Sequence, residues 1–358
     1  MTLLLKAIKK TGYREQIAAR RRQINYQHVF VLFNLLFICF SAQSMVVYGH
    51  RGARGLAPEN TLPGFQVALS HHVDAIDLDI AMTKDGVLVV YHDLVLNPDI
   101  TRDATGDWVS IEPEVIVKNL TLKQLQTYDV GRIRPLSIYA AIYASQIPED
   151  HTAIPTLQAV IQDIKKSEQY PVGFQIEIKT DPTRPDLSVS ADEIVSALNQ
   201  VLEAEGISDR TKVQAYDWQC LLMLQQLNSK IETAYLTDID HEKVLRNMDA
   251  KIAGSWTIGY LLKNYHDSIP EMISALGGTW WDVEDIELTH EALQQAHQLG
   301  LKVATWTFPD RTGNEINIPL VIQLIAMGVD GVITDRPDIV RNLLLLSRDK
   351  DQKSNKYN

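Results

Sequence analysis

Beyond residue 45 the chain alternates short apolar runs with longer stretches whose apolar positions recur every three or four residues. The short runs predict strands at Val46–His50, Ala75–Ile80, Val172–Ile178, Lys212–Tyr216, Glu232–Leu236, Thr279–Val283, Lys302–Thr307 and Gly331–Thr334. Helical periodicity falls between them, over Thr61–His71, Thr156–Ser167, Ser190–Glu205, Trp218–Leu227, Ile269–Leu276, Thr289–Leu299 and Asn317–Met327. Ser190, Thr289 and Asn317 read as N-caps, and Gly206, Gly300 and Gly328 as helix stops. Strands that alternate with helices build parallel βα units, and this number of them predicts an α/β fold, a closed (β/α)8 TIM barrel.

Two features interrupt the alternation. Thr83-Lys84-Asp85-Gly86 separates two alternating runs and reads as a hairpin turn, which carries the second strand past the barrel rim and returns His92 to the top. Residues 94–155 then form an insertion after that hairpin, with few periodic signals besides a short helix over Thr121–Asp129 capped by Thr121. The barrel domain is expected to span 45–348, followed by a polar tail at 349–358.

The N-terminus reads differently. Residues 1–28 are basic and polar, Val29–Phe40 are apolar apart from Asn34, and Ser41-Ala42-Gln43-Ser44 follows. That order predicts a signal peptide over 1–44 cleaved near Ser44. The apolar run is shorter than the roughly 20 residues a spanning helix needs. The alternatives are an uncleaved anchor and a lipid-modified Cys39, although bulky Phe37 and Ile38 precede that cysteine where a lipoprotein signal would want small residues. The protein is therefore expected outside the inner membrane, periplasmic or secreted, or held beside the membrane by this segment. Without 1–44 the chain keeps 27 basic and 44 acidic side chains, a formal charge of −17. So acidic a body excludes nucleic acid as a partner but not a small phosphodiester. Cys220 is then the single cysteine, expected as a small core residue on a helix.

In a parallel barrel the C-terminal strand ends converge on one face. His50, Asp77, Asp79, Glu177, Lys179, Gln214 and Trp306 all fall at such ends. Strand alternation puts Asp77 with Asp79, and Glu177 with Lys179, on one side. With Glu59 from the loop after strand one, four carboxylates gather in apolar surroundings, and such a group needs a counter-charge. Oxygen ligation favours Ca²⁺ or Mg²⁺ over zinc, so Glu59, Asp77, Asp79 and Glu177 are candidate ligands of one divalent cation. The alternative makes some of them helix caps or surface charges. His50 and His92 are candidates for a proton-transfer pair. Arg51 and Lys179 would hold phosphate oxygens. Trp306 is either an apolar wall for the substrate or barrel core, and His71-His72 at a helix end reads as solvated.

The ordered set His50-Arg51-Gly52, Pro58-Glu59-Asn60-Thr61, Asp77-x-Asp79, Thr83-Lys84-Asp85-Gly86, Tyr91-His92-Asp93, Ile176-Glu177-Ile178-Lys179, Trp306-Thr307 and Ile333-Thr334-Asp335-Arg336-Pro337 resembles the glycerophosphodiester phosphodiesterase family. The likeness runs from about Val46 to Leu343. It implies a metal-dependent hydrolase acting on small glycerophosphodiesters, such as glycerophosphocholine or glycerophosphoethanolamine, and releasing glycerol 3-phosphate and an alcohol. It also implies an insertion that covers part of the pocket, and a substrate-binding polar and aromatic pair at Gln214 and Tyr216. Asn60 would orient Glu59 or fix its loop, and Asp335 would brace the rim. Two positions depart from the family pattern: Asp77 stands where Glu is usual, and Ala215 where Ser is common. The shorter Asp77 would shift a bound cation, admit a water or change the metal preferred. A phospholipase D-like enzyme on lysolipids or sphingolipids is one alternative, with Ile138, Tyr139, Ile142 and Tyr143 as an apolar lip. A noncatalytic exported phosphate-ligand binding protein is the other, and it predicts loss of a histidine or a carboxylate from the set.

Overall fold

A computed structural model describes residues 45–167, 170–238, 250–307 and 315–354, all within the compact unit Met45–Asn358. The expected signal segment at 1–44 lies outside the described residues. No helix among the described residues is long and apolar enough to cross a membrane.

The strands are β1 (Val46–Gly49), β2 (Ala75–Met82), β3 (Leu88–Val90), β4 (Gly173–Ile178), β5 (Thr211–Ala215), β6 (Glu232–Thr237), β7 (Trp280–Glu284), β8 (Lys302–Trp306) and β9 (Gly331–Thr334). The described helices are α1 (Leu62–Ser70), α2 (Leu122–Leu125), α3 (Ile138–Ile142), α4 (Leu157–Ser167), α5 (Ala191–Glu205), α6 (Trp218–Leu227), α7 (Ala250–Thr257), α8 (Ile269–Ala275), α9 (His290–Gln298), α10 (Ile318–Met327) and α11 (Pro337–Ser354). Every strand except β3 pairs in parallel, in the order β1-β9-β8-β7-β6-β5-β4-β2, and β1 pairs with β2 to close the ring. This is the (β/α)8 barrel expected from the alternation. The hairpin is also present: β3 runs antiparallel to β2, with Ile80 opposite Val90.

Strand alternation sorts side chains between two compartments. On β7, Trp280 and Asp282 point into the barrel, while Trp281 and Val283 pack outward under the helices. The lower interior is closed by Lys212, whose Nζ lies 3.0 Å from Asp282 Oδ2 and about equally over the rings of Tyr48 (4.2 Å) and Trp280 (4.0 Å). A buried charge needs such partners, and here they make the barrel floor solid. The larger outer core includes Cys220, fully buried on α6 as expected.

The helix boundaries follow their chemistry. Ser190, Thr289 and Asn317 are N-caps, and Gly206, Gly300 and Gly328 take left-handed conformations where α5, α9 and α10 stop. Four helices depart from the expectation, α2 by stopping at Leu125 where the expected helix ran to Asp129. Residues 138–142 form a helix too short for a period to register in the sequence, and 250–257 form one whose interior Gly254 weakens the helical signal. Helix α11, where no helix was expected, runs from Pro337 into the tail expected to begin at 349 and through Ser354, because no Gly or Pro after Pro337 ends it.

The insertion has its own core of Tyr91, Leu96, Ile100, Val109, Val117, Leu125, Val130 and Ile154, packed on Ala81 and Val89 of the hairpin. It leaves after β3 and returns beside it: Val90 N–H donates to Pro155 O at 2.9 Å, and Val89 bridges Thr156.

Gly49 ends β1 at a point where a Cβ would collide with the carbonyl oxygen of Gly52. Backbone cannot yield as a side chain does. Gly49→Ala should therefore cost about 1–3 kcal/mol, read as a lower urea midpoint at unchanged m-value.

Candidate active site

Immediately after β1 the chain turns sharply, with Arg51 (φ 49°) and Asn60 (φ 54°) both in the left-handed region. Such positions cost about 1–3 kcal/mol each and persist only where the surroundings enforce them. Here the enforcement is polar. Arg51 N–H donates to Asp77 Oδ2 (3.3 Å) and Asn60 N–H to Arg51 O (2.9 Å). The Asn60 side chain grips Asp79, its Nδ2 donating to Oδ2 (2.7 Å) and its Oδ1 accepting from the Asp79 N–H (3.2 Å). Of the two roles open to Asn60, fixing the loop is the one the geometry shows, and it orients Asp79 rather than Glu59.

The four expected carboxylates lie at this end of the barrel, all buried. Two cations interleave them. Arg51 Nη1 donates to Glu59 Oε1 (2.7 Å), and its Nε stands 3.5 Å from Asp79 Oδ2. Lys179 Nζ bonds Glu177 and lies 3.1 Å from Asp79 Oδ1. Asp77 sits one inward-facing step lower. Its Oδ1 accepts from both Gln175 Nε2 and Gln214 Nε2 at 2.9 Å, and the two amides also bond each other. Gln214 therefore meets Asp77. Among the described residues no three His, Cys, Asp or Glu side chains stand in a metal-coordinating arrangement.

The electrostatics record the crowding. Burial, then the neighbouring Asp79, raise Asp77 well above the usual carboxylate range. Burial pushes Glu177 up to about 7 against the pull of Lys179, with Asp79 adding to the rise. Asp79 itself is held well below the ordinary range: burial opposes this, but Lys179, His92 and Arg51 outweigh it.

Each histidine is paired with an aspartate through Nδ1. His50 Nδ1 lies 2.8 Å from Asp335 Oδ1, and His92 Nδ1 lies 2.5 Å from Asp93 Oδ1, with Asn97 Nδ2 steadying Asp93 Oδ2 at 3.0 Å. A carboxylate beside Nδ1 selects the tautomer that carries its proton there and leaves Nε2 as the working atom. Arg54 forks onto Asp335 with Nε to Oδ1 and Nη2 to Oδ2, both 2.8 Å. Its Nη2 also approaches His50 Nδ1 at 3.2 Å. With the proton on Nδ1 this is a contact between two donors that both serve Asp335.

Several of these residues escaped the sequence reading. Arg54 was visible only as a cation four positions beyond His50 in the same loop. Gln175 lies two residues before Glu177, so alternation alone puts it on the inward face. Tyr139 and Tyr143 were expected as part of an apolar lip, but their hydroxyls are engaged: Tyr139 bonds Glu59, and Tyr143 donates to Asp335 Oδ2 at 3.3 Å. Arg54 stacks over the Tyr143 ring at 4.6 Å. Trp306 caps β8 as part of the barrel-interior aromatic cluster, edge to face with Tyr216. His72 is exposed at the end of α1, against Tyr170.

Burial, then Arg54, push His50 down to about 4 against the pull of Asp335. A folded-state value below the ordinary 6.5 favours the neutral ring. The stability this contributes is complete above the unfolded value and is lost as the pH falls through about 4. In metal-free protein the His50 ring resonances should titrate near pH 4, and Arg54→Gln should move that midpoint upward. A midpoint near the ordinary histidine value in the parent protein would contradict this account.

Comparison with known proteins gives the family. Residues 50–339 match the model of the glycerophosphoryl diester phosphodiesterase family. A glycerophosphodiester phosphodiesterase of Bacillus subtilis (strain 168) is 25% identical over 303 residues, covering 84% of this chain and 86% of the relative. A crystal structure from Silicibacter pomeroyi DSS-3, provisionally assigned as a glycerophosphoryl diester phosphodiesterase, superposes with a TM-score of 0.73 at 28% identity, over 84% of this chain and 93% of that one. The fold is also that of an Oleispira antarctica phosphodiesterase solved with the product sn-glycerol-3-phosphate (TM-score 0.57, 21% identity, 83% and 95% covered). With the barrel and the charged strand ends in place, the chain belongs to the glycerophosphoryl diester phosphodiesterase family and is an enzyme of that kind.

Proposed function

We propose that the chain hydrolyses glycerophosphodiesters to glycerol 3-phosphate and an alcohol, using His50 and His92 as the proton-transfer pair and a divalent cation held by Glu59, Asp77, Asp79 and Glu177. The observation that carries this reading is the pair of His–Asp couples beside a buried cluster of carboxylates and cations at the barrel mouth. Relatives named for the same activity support it.

The residues present fit a divalent cation. Four buried carboxylates face two cationic side chains, Arg51 and Lys179. Two negative charges are left over; burial first, and then the neighbouring Asp79, raise Asp77 and Glu177 above their ordinary range. The donors are all oxygen, which suits Ca²⁺ or Mg²⁺. When bound, such an ion supplies Lewis-acid polarisation of the phosphoryl oxygens.

The chain's own groups perform the rest. Arg51 and Lys179 bind the non-bridging oxygens and offset charge that builds in the transition state. One neutral histidine takes the proton of the attacking hydroxyl, whether of water or of the glycerol itself. That oxygen bonds to phosphorus as the phosphorus–oxygen bond to the alcohol breaks, and the other histidine, entering the step as its imidazolium, protonates the departing alkoxide and is left neutral; where the glycerol hydroxyl attacks, water then opens the cyclic phosphate with the two histidines in exchanged roles. Asp335 and Asp93 hold the two rings and stabilise each imidazolium as it forms.

EDTA should abolish release of glycerol 3-phosphate from glycerophosphocholine, and added Ca²⁺ or Mg²⁺ should restore it. His50→Ala and His92→Ala should each lower kcat by about 10²–10⁴. Full activity in either variant would remove that histidine from the mechanism. A second reading, action on lysolipids, is favoured by the exposed Leu136 and Ile138 at the edge of α3. Turnover of lysophosphatidylcholine faster than glycerophosphocholine would establish it. We propose export from the order of charge and hydropathy in residues 1–44; a reporter fused after Ser44 should be found outside the cytoplasm, and cytoplasmic retention would refute export.

A further inference from the structure

Three of the four expected cation ligands stand on strands, Asp77 and Asp79 on β2 and Glu177 on β4, whereas Glu59 comes from the loop after β1. A loop carboxylate has no strand alternation to aim it. Two donors aim this one. Arg51 Nη1 holds Oε1 at 2.7 Å, and the Tyr139 hydroxyl donates to Oε2. Tyr139 belongs to the insertion, 80 positions further along the chain. Its oxygen also accepts from Arg54 Nη1 at 3.3 Å. A phenol that accepts there turns its own proton away from the guanidinium and toward Glu59, and donates it more strongly. The helix that carries Tyr139 is lightly anchored, since none of the five residues of α3 is fully buried. Its seat on the barrel is largely polar: Tyr139 on Glu59, Tyr143 on Asp335, Gln146 Nε2 on Arg54 O, and the Ser145 N–H on Glu315 Oε1 at 2.6 Å.

Given the cation reading above, on which this inference rests, we propose that Tyr139 is a positioning residue for Glu59, and that through it cation binding and the seating of α3 favour one another. A carboxylate oxygen offers more than one acceptor direction. Arg51 and Tyr139 each take one direction on one oxygen of Glu59 and leave another on each for a cation. Loss of the Tyr139 bond frees the carboxylate to turn about its last side-chain torsion, so it must be aimed afresh when the ion binds. Outer partners of this kind contribute about 10–100-fold to metal affinity. The converse follows from linkage: what the seated helix adds to the affinity for the ion, the bound ion adds to the seat of the helix by the same factor. A segment with little buried surface opens locally, so such a bias is visible in it. The rival arrangement, in which the hydroxyl competes with the ion for Oε2, predicts the opposite sign. Tyr143 provides the internal comparison. It lies at the end of the same helix, but its hydroxyl reaches Asp335 and the His50 couple, not the carboxylate cluster.

The test is calorimetric titration of the full chain with Ca²⁺, and separately with Mg²⁺, beside its Tyr139→Phe and Tyr143→Phe variants, without substrate. Phenylalanine keeps the ring and removes only the hydroxyl. Kd for the ion should rise about 10–100-fold in Tyr139→Phe, and by clearly less in Tyr143→Phe. An unchanged or tighter Kd in Tyr139→Phe overturns the proposal, the tighter one by showing competition for Oε2. An equal loss in the two variants overturns it as well, because it reports a cover that has merely loosened. Hydrogen exchange of the parent gives an independent answer if a variant does not fold. The amides of Ala141 and Tyr143, bonded to Ser137 O and Tyr139 O, should exchange about tenfold more slowly with the ion bound than in EDTA. Equal exchange in the two conditions overturns the coupling. The outcomes are separable: a parent that binds an ion as tightly as Tyr139→Phe does sinks this inference alone, whereas a parent that binds neither ion sinks the cation reading and this inference with it.

Discussion

Like charge confined in one small volume is the constraint on which the site depends. Glu59, Asp79 and Glu177 lie close enough to share two cations, with Asp77 directly beneath. Two unit charges about 4 Å apart near a protein surface interact by roughly 4 kcal/mol. Each repulsion in this cluster is therefore comparable to a large part of a domain's net stability. The order of charges resolves it: Lys179 lies between Asp79 and Glu177, and Arg51 between Glu59 and Asp79. Asp77 is relieved by a different device, two amide donors on one oxygen. The strained turn between Arg51 and Asn60 belongs to the same solution, since it brings the cation and the amide to β2 from one loop.

Much of this was legible in the sequence, and for a definite reason. Strand and helix periods differ, so eight parallel strands and most helices could be assigned from spacing alone. The same period-two rule put Asp77 with Asp79, and Glu177 with Lys179, on the inward face. The rule specifies a face but not a height on it. That is why Asp77 could be grouped with the other carboxylates, while its place a layer below them, in contact with Gln175 and Gln214, appeared only in the structure. Nor does periodicity report contacts between distant loops. The Arg54 fork onto Asp335 joins residues 281 positions apart, and neither residue carries a local signal of the other.

The insertion was the least legible part because its secondary structure is short and its core is built from bridges and turns. Its contribution to the site is nevertheless specific. Helix α3 sends Tyr139 to Glu59 and Tyr143 to Asp335, and Gln146 Nε2 donates to Arg54 O at 2.8 Å. Those contacts reach both sides of the reacting centre, the carboxylate cluster through Glu59 and the His50 couple through Asp335. The tyrosines therefore act less as a greasy edge than as polar pins that hold a covering segment against the barrel.

The way the insertion is joined to the barrel has a separate consequence. Its two ends meet at a single doorway, where Val90 pairs with Pro155 and Val89 with Thr156. Between Asn97, which still serves the His92–Asp93 couple, and Pro155 the chain can lengthen, shorten or be exchanged without changing the register of a barrel strand, since the cost of closing a loop grows only slowly with its length. Barrel and cover can thus diverge at different rates. Lineages that keep the same proton-transfer machinery are free to acquire new covers, so the chemistry is inherited with one module and the access to it with another.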